Sequence, residues 1–271
     1  MTEYKYLTTR RDGATLIATM TNPPKNLLNG PMVAELHALA DALTDDAETR
    51  VLVLTGGADG IFITHYDVGE LSTISDVVRE RDIASAGQEL HAMHKLTLKL
   101  QALPQPVIAA VNGTAMGGGC ELALSCDFRY IARGGVFGLP EVRVGILPGA
   151  GGTQRMTRLI GAAKAMELML LGNTVDADTA ERIGLAHRAV EPDRLMPEVL
   201  ALAAELAQRP ALSLALIKQC ILQGAEMPLI DALGFEQAAF NRTMRSDDAS
   251  RLMRAYLKSE RSLNEMDQSQ G

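Results

Sequence analysis

The spacing of apolar and polar positions changes along this chain, and each change predicts an element. Residues 4–9 and 15–20 read as two strands of a hairpin around a turn at Asp12-Gly13. After the break "NPPKNLLNGP", Pro31 suits the first position of a helix, and Met32, Leu36, Leu39, Ala40 and Leu43 keep helical spacing on one face. The run "VLVLTGG" (51–57) is short, apolar and closed by glycine, which predicts a strand buried on both faces. The same pattern recurs at "PVIAAVNG" (106–113), and "FRYIA" (128–132) predicts a third such strand. From about Thr153 helical periodicity dominates, predicting helices over 159–171, 178–183, 195–208, 212–223, 228–245 and 247–263. A sheet-rich core followed by a helical lobe is expected. The recurring strand-turn-helix unit, with no low-complexity linker and no clean sequence repeat, suits a wound superhelix of sheets.

Composition narrows the class. The 271 residues are 47% hydrophobic, enough to bury a large core, and 13 Met with no Trp predict a soft aliphatic interior. A net charge of −7 argues against chain-wide attraction to nucleic acid or to anionic membrane. Cys120, Cys126 and Cys220 lack a C-x-x-C spacing and read as reduced packing residues rather than a disulfide frame or zinc site. The first residues carry no apolar segment of signal type, and no later run approaches the roughly 18 apolar residues that span a bilayer. A cytoplasmic protein without membrane contact is expected.

The candidate chemistry gathers in two stretches. In "NGTAMGGGCELALSCD" (112–127), Gly117, Gly118 and Gly119 run into a short apolar helix whose one charge is Glu121, in the first turn. Glycines there let another molecule approach the backbone, and the N–H groups at the start of a helix attract negative charge. The residues alone leave two readings open: an anion trap, or a tight crossing with Glu121 as an ordinary first-turn charge. A second carboxyl, Glu141, follows Pro140 among Phe137, Leu139, Val142, Val144 and Ile146. Two carboxyls in apolar, glycine-rich settings suit a general acid-base pair, while either alone suits an ion pair with Arg143 or Arg155.

Other motifs fall away. "GAGGTQ" has Gln154 where a dinucleotide fingerprint needs glycine, and neither a P-loop nor a G-x-S-x-G elbow is present. His91 and His94 have no third ligand in view and read as surface or packing histidines on a helix.

Together, "PVIAAVNGTAMGGGCELALSCD" and "FGLPEVRVGILPGAGGTQRMTRLIG" closely resemble the two signature blocks of the crotonase (enoyl-CoA hydratase/isomerase) family. Fainter likeness covers nearly the whole chain, including "NPPKNLLNGPMVAEL", "RVLVLTGGADGIFITHYDVGEL" and "LGNTVDADTAERIGLAHRAV". The resemblance implies an α/β fold, a crotonase-like spiral of ββα units over 1–195 carrying the CoA and active sites. Over 196–271 it implies a C-terminal helical trimerisation region, giving a homotrimer or a dimer of trimers.

It also implies roles. Backbone N–H groups at Gly118 and Tyr66 would hold the thioester oxygen of an acyl-CoA substrate, where negative charge develops in the transition state. Glu121 would take a proton from water and Glu141 would supply one to the α-carbon, with no metal and no cofactor beyond the coenzyme A of the substrate. For CoA the resemblance points to backbone groups around Lys25, Asn26 and Leu27, to the loop Thr64, His65 and Tyr66 beside Gly117, and to Lys258 of the terminal helix, which would meet a phosphate across a subunit boundary. Carrying both glutamates favours 2-enoyl-CoA hydration over Δ3-Δ2 isomerisation or an aromatic hydratase-lyase. The loop "FITHYD" departs from the family's usual F-x-x-G-x-D, with His65 in place of glycine and Tyr66 where alanine is common. That departure motivates a contrasting reading, a non-catalytic acyl-CoA-binding scaffold subunit.

Overall fold

In the computed structural model, which describes residues 4–80, 89–259 and 262–263, the predicted hairpin forms from β1 (Leu7–Asp12) and β2 (Thr15–Met20). Leu7 stands opposite Met20 and Asp12 opposite Thr15, with Gly13 at φ +55° in the turn. β1 begins later than the spacing predicts. It is an edge strand pairing only with β2, so it needs no apolar alternation, while Tyr4 and Tyr6 pack partly buried against the core.

Helix α1 (Gly30–Thr44) starts at Asn29, whose side chain accepts from the Met32 N–H at 2.9 Å, and buries Met32, Val33, Leu36, Leu39, Ala40 and Leu43. Then a unit repeats. β3 (Val51–Gly56) leads to β4 (Ile61–Ile63), followed by α2 (Val68–Glu80) and α3 (Ala92–Ala102). β5 (Val107–Val111) leads to β6 (Thr114–Met116) and α4 (Gly118–Leu124). β7 (Phe128–Ala132) leads to β8 (Val136–Gly138), a 3-10 turn (Glu141–Val144), α5 (Gly152–Ile160) and α6 (Ala162–Leu171). β9 (Thr174–Asp176), α7 (Ala177–Arg182) and β10 (Arg188–Val190) finish the sheets, and α8 (Leu195–Gln208), α9 (Ala211–Gly224), α10 (Leu229–Met244) and α11 (Asp247–Lys258) follow.

The five longer strands and β10 form a six-stranded sheet in the order β1-β2-β3-β5-β7-β10, parallel from β2 onward, and the other three-residue strands a four-stranded sheet β4-β6-β8-β9. The turns between paired strands nest. Thr114 N–H donates to Gly60 O at 2.9 Å, and a methyl group on Gly113 would sit 1.9 Å from that oxygen, so glycine is required there. Asn112 ties the layers by accepting from Gly56 N–H (3.0 Å) and donating to Ala58 O (2.8 Å).

The predicted two-sided burial of β3 is explicit: Leu52 and Leu54 join the core shared with α1, α3 and α4, while Val51 and Val53 face Leu195, Val199 and Ala203 of α8. Each such side chain contributes about 1.5–3 kcal/mol of burial. Thus α8, near the start of the expected helical region 196–271, packs on the outer face of the large sheet. Beyond it, α9, α10 and α11 leave Ile221, Leu229, Ile230, Phe240 and Leu257 exposed.

Two predicted helices differ in their limits. The helix expected over 159–171 is two helices, because Gly161 at φ +78°, ψ 157° cannot continue the first. The last helix ends at Lys258 rather than 263. α2 and the three-residue strands were not predicted, being too exposed or too short to show a period. Among the described residues no single helix is long and apolar enough to cross a membrane.

Candidate active site

The glycine run resolves into one cap and two close contacts. Gly117 caps α4 at φ +49°, ψ −126°, a conformation that L side chains rarely adopt, and its N–H donates to Gly138 O at 2.9 Å. Gly119 packs on β4, where a methyl group would lie 2.5 Å from Ile63 O. Gly118, the first residue of the helix, carries one of the N–H groups that a helix leaves without an internal acceptor.

Glu121 is only 3% exposed. Its Oε1 accepts two backbone N–H groups, from Ala150 at 2.6 Å and Gly152 at 2.8 Å, across the chain from its own helix. Burial pushes its pKa up, and the Gly152 and Ala150 amides and the Arg155 charge pull the other way without overcoming it. Gly152 must lack a side chain, since a methyl group there would sit 2.9 Å from that same oxygen.

Glu141 opens the 3-10 turn, with Phe137 and Leu139 buried beside it and Val142, Val144 and Ile146 exposed. Burial, with the Glu121 charge adding, raises its pKa to about 7. Its Oε2 is buried with no hydrogen-bond partner among the described residues. Neither candidate arginine pairs with it: Arg155 holds Gln101 Oε1 (2.6 Å) and Ala150 O (3.0 Å), and Arg143 lies against Gly172. The two glutamates thus differ. One carboxyl has two donors, the other an orphan oxygen.

The segments at 25–28 and 64–67 zip together. The Thr64 hydroxyl donates to Lys25 O, Thr64 N–H to Asn26 O (3.2 Å), Leu28 N–H to His65 O (3.0 Å) and Asp67 N–H to Leu28 O (2.7 Å). In this parallel bridge the bonds to Leu28 come from the residues flanking Tyr66. The Tyr66 N–H therefore turns away from Leu28, and it has no hydrogen-bond partner among the described residues. Gly118 adjoins it, for a methyl group there would be 3.4 Å from Tyr66 Cβ. The Tyr66 phenol is pushed upward in pKa, first by burial and then by its hydrogen bond with Glu70. His65 Nδ1 bonds Tyr66 O at 2.7 Å, and its Cβ and the Glu141 carboxyl both border Gly117.

The structure brings Glu121, Glu141, Gly117, Gly118, Thr64, His65 and Tyr66 together. Asn26 stands behind them, fully buried, its side chain donating to Met20 O (3.1 Å) and Phe62 O (2.7 Å) and accepting from Asn22 N–H (2.7 Å). Its side chain is a structural tie, while exposed Lys25 and half-buried Leu27 border the same turn. Lys258 closes α11, which packs on α10, and its expected contact across a subunit boundary lies outside a single chain. The sequence reading missed the loop at 149–152 as the holder of Glu121, although the glycines of "PGAGG" signalled a close backbone approach.

One buried and one half-buried carboxyl thus stand near the start of α4, on nested ββα turns. The chain belongs to the enoyl-CoA hydratase/isomerase family, whose profile matches residues 10–264. It is 36% identical over 239 residues to the crotonyl-CoA hydratase of Syntrophomonas wolfei subsp. wolfei, covering 88% of this chain and 89% of that protein. It is 34% identical over 249 residues to the short-chain-enoyl-CoA hydratase of Clostridium acetobutylicum, covering 92% and 93%. The crystal structure of an enoyl-CoA hydratase from Bacillus anthracis superposes with a TM-score of 0.85 at 29% identity, covering 93% of this chain and 96% of that one.

Proposed function

We propose that this chain is an enzyme that adds water across the double bond of a 2-enoyl-CoA thioester, giving a 3-hydroxyacyl-CoA. The observation that carries the reading is the unequal setting of Glu121 and Glu141 beside the free amides of Gly118 and Tyr66. The similarity to hydratases acting on crotonyl-CoA and short-chain enoyl-CoA supports the substrate class.

The reaction follows from that setting. The thioester oxygen lies between the Gly118 and Tyr66 amides, which stabilise the enolate more than the neutral carbonyl. Glu121, whose oxygen is served by two N–H donors, works as the carboxylate and takes a proton from water. The water oxygen bonds to the β-carbon as the double-bond electrons move toward the thioester. Glu141, with its Oε2 left without a partner among the described residues and its pKa near neutrality, holds a proton and delivers it to the α-carbon. Coenzyme A is part of the substrate, and the steps use no metal or separate cofactor. The exposed apolar faces of α9, α10 and α11 are assigned to contacts between copies, in a homotrimer or dimer of trimers, and the protein is placed in the cytoplasm.

Glu121→Gln and Glu141→Gln each lower hydration about a hundred- to ten-thousand-fold while leaving the fold intact, read from the enoyl-thioester absorbance. Near-wild-type turnover in either variant contradicts the pair. Conversion of a 3-enoyl-CoA faster than hydration would shift the reading to an isomerase, since one glutamate suffices to move a proton between the α- and γ-carbons.

A further inference from the structure

His91 lies outside the site as described, at the start of α3, yet one peptide group joins it to Glu121. Its Nδ1 accepts from the Met93 N–H at 3.2 Å, which caps α3 and fixes the neutral ring with its proton on Nε2. That Nε2 lies 2.6 Å from Gly149 O, which can only accept, so the ring donates to it. Gly149 C=O and Ala150 N–H belong to the same planar peptide, and the Ala150 N–H is the 2.6 Å donor to Glu121 Oε1.

We infer that His91 is a positioning residue for Glu121: its Nε2–H fixes and polarises the Gly149–Ala150 peptide so that the Ala150 N–H holds the Glu121 carboxylate in its working place. The inference rests on Glu121 being the base of the proposed hydration. Hydrogen bonds in series strengthen one another, so a donor on the carbonyl makes the amide at its other end a better donor. The rest of the α3 face supports the same loop. The Thr97 hydroxyl reaches Ala150 O at 3.5 Å, and Gln101 Oε1 holds Arg155, whose Nη1 donates to Ala150 O at 3.0 Å. Residues 91, 94, 97 and 101 lie on one helical face, so α3 meets the loop as a rigid edge. The charged and titratable groups turned toward Glu121 are Arg155 of α5, Glu141 of the 3-10 turn and Cys120 of its own helix. His94 has its ring centroid 4.1 Å from that of His91, and its pKa is lowered, first by burial.

Two substitutions separate the cap from the relay. In His91→Asn the amide oxygen occupies the place of Nδ1 and retains the α3 cap, but the side chain is too short to reach Gly149 O. In His91→Gln the amide nitrogen occupies the place of Nε2 and restores the donor. The expected result for His91→Asn is an unchanged melting temperature, a fall of about tenfold in kcat with crotonyl-CoA, an unchanged KM, and an acid limb of the kcat profile moved to higher pH. His91→Gln recovers most of the turnover and the original limb. An Asn variant with wild-type kcat and pH profile, or a Gln variant no better than Asn, overturns the positioning role. Glu121→Gln is measured alongside: if it stays active, the base assignment has failed, whereas an inactive Glu121→Gln beside an unaffected His91→Asn rejects the relay alone.

Discussion

The Oε1 of Glu121 accepts the Gly152 N–H at 2.8 Å from 31 residues further along the chain, joining the first turn of α4 to the first residue of α5. This contact places a carboxylate 3% exposed, with its donors supplied by backbone rather than by a mobile side chain. The proposed catalytic geometry depends on two peptide segments keeping their shape.

Replacing Gly152 tests that dependence. In Gly152→Ala the new methyl group would meet Glu121 Oε1 at 2.9 Å, Leu139 Cδ1 at 2.8 Å and Pro148 Cβ at 2.8 Å. The expected outcome is a loss of about 1–3 kcal/mol of stability from overpacking and at least tenfold in kcat from displacement of the carboxylate. Denaturant melts and steady-state kinetics on the same preparation read both.

Glu141 makes stability and activity depend on pH in the same direction. Its pKa rises from the ordinary 4.5 to about 7 in the fold, chiefly through burial, so folding favours the protonated form. The stability it allows is fully present below the unfolded value and is lost as pH rises through about 7. Discounted for partial exposure, the loss is about 1–2 kcal/mol. Melting of the wild type should fall between about pH 5 and pH 8 more than that of Glu141→Gln, which cannot ionise. As the proposed proton donor, Glu141 should also make kcat/KM decline above about pH 7, and a flat profile through that range contradicts the assignment.

Gly117 is fixed by conformation as well as space. At φ +49° an alanine is strained by about 1–3 kcal/mol, and its methyl group would lie 3.1 Å from Glu141 Oε1. Gly117→Ala should therefore lower the melting temperature and reduce kcat together, and a variant with both unchanged would show that this turn has slack.

Asn26 and Lys25 are neighbours with opposite roles. Asn26→Ala removes three hydrogen bonds from a fully buried side chain and should cost about 3 kcal/mol, read by denaturant melts. Lys25→Ala, on an exposed side chain, should leave stability within about 0.5 kcal/mol. A reversed ranking would contradict the structural role assigned to Asn26.

Local chemistry decided which parts were legible in the sequence. β3, β5 and α1 announce themselves because a two-sided strand and a one-sided helix impose periods over many residues, and Glu121 stood out as a charge among apolar neighbours. β4, β6 and β8 are three residues each, too short to carry alternation, and they owe their place to nested turns. The side-chain bonds of Asn26 to Met20 and Phe62 were not legible, because that link exists only once the chain has folded. His91 read as a packing histidine for the same reason: Gly149 is 58 residues away.

The most direct measurement mixes purified protein with crotonyl-CoA and follows the conjugated enoyl-thioester absorbance, with the product identified by mass. The account predicts loss of the enoyl band with formation of 3-hydroxybutyryl-CoA in the wild type, and no loss above background in a Glu121→Gln, Glu141→Gln double variant that still binds the thioester. Binding without turnover by the wild type, or equal turnover by the double variant, would contradict it.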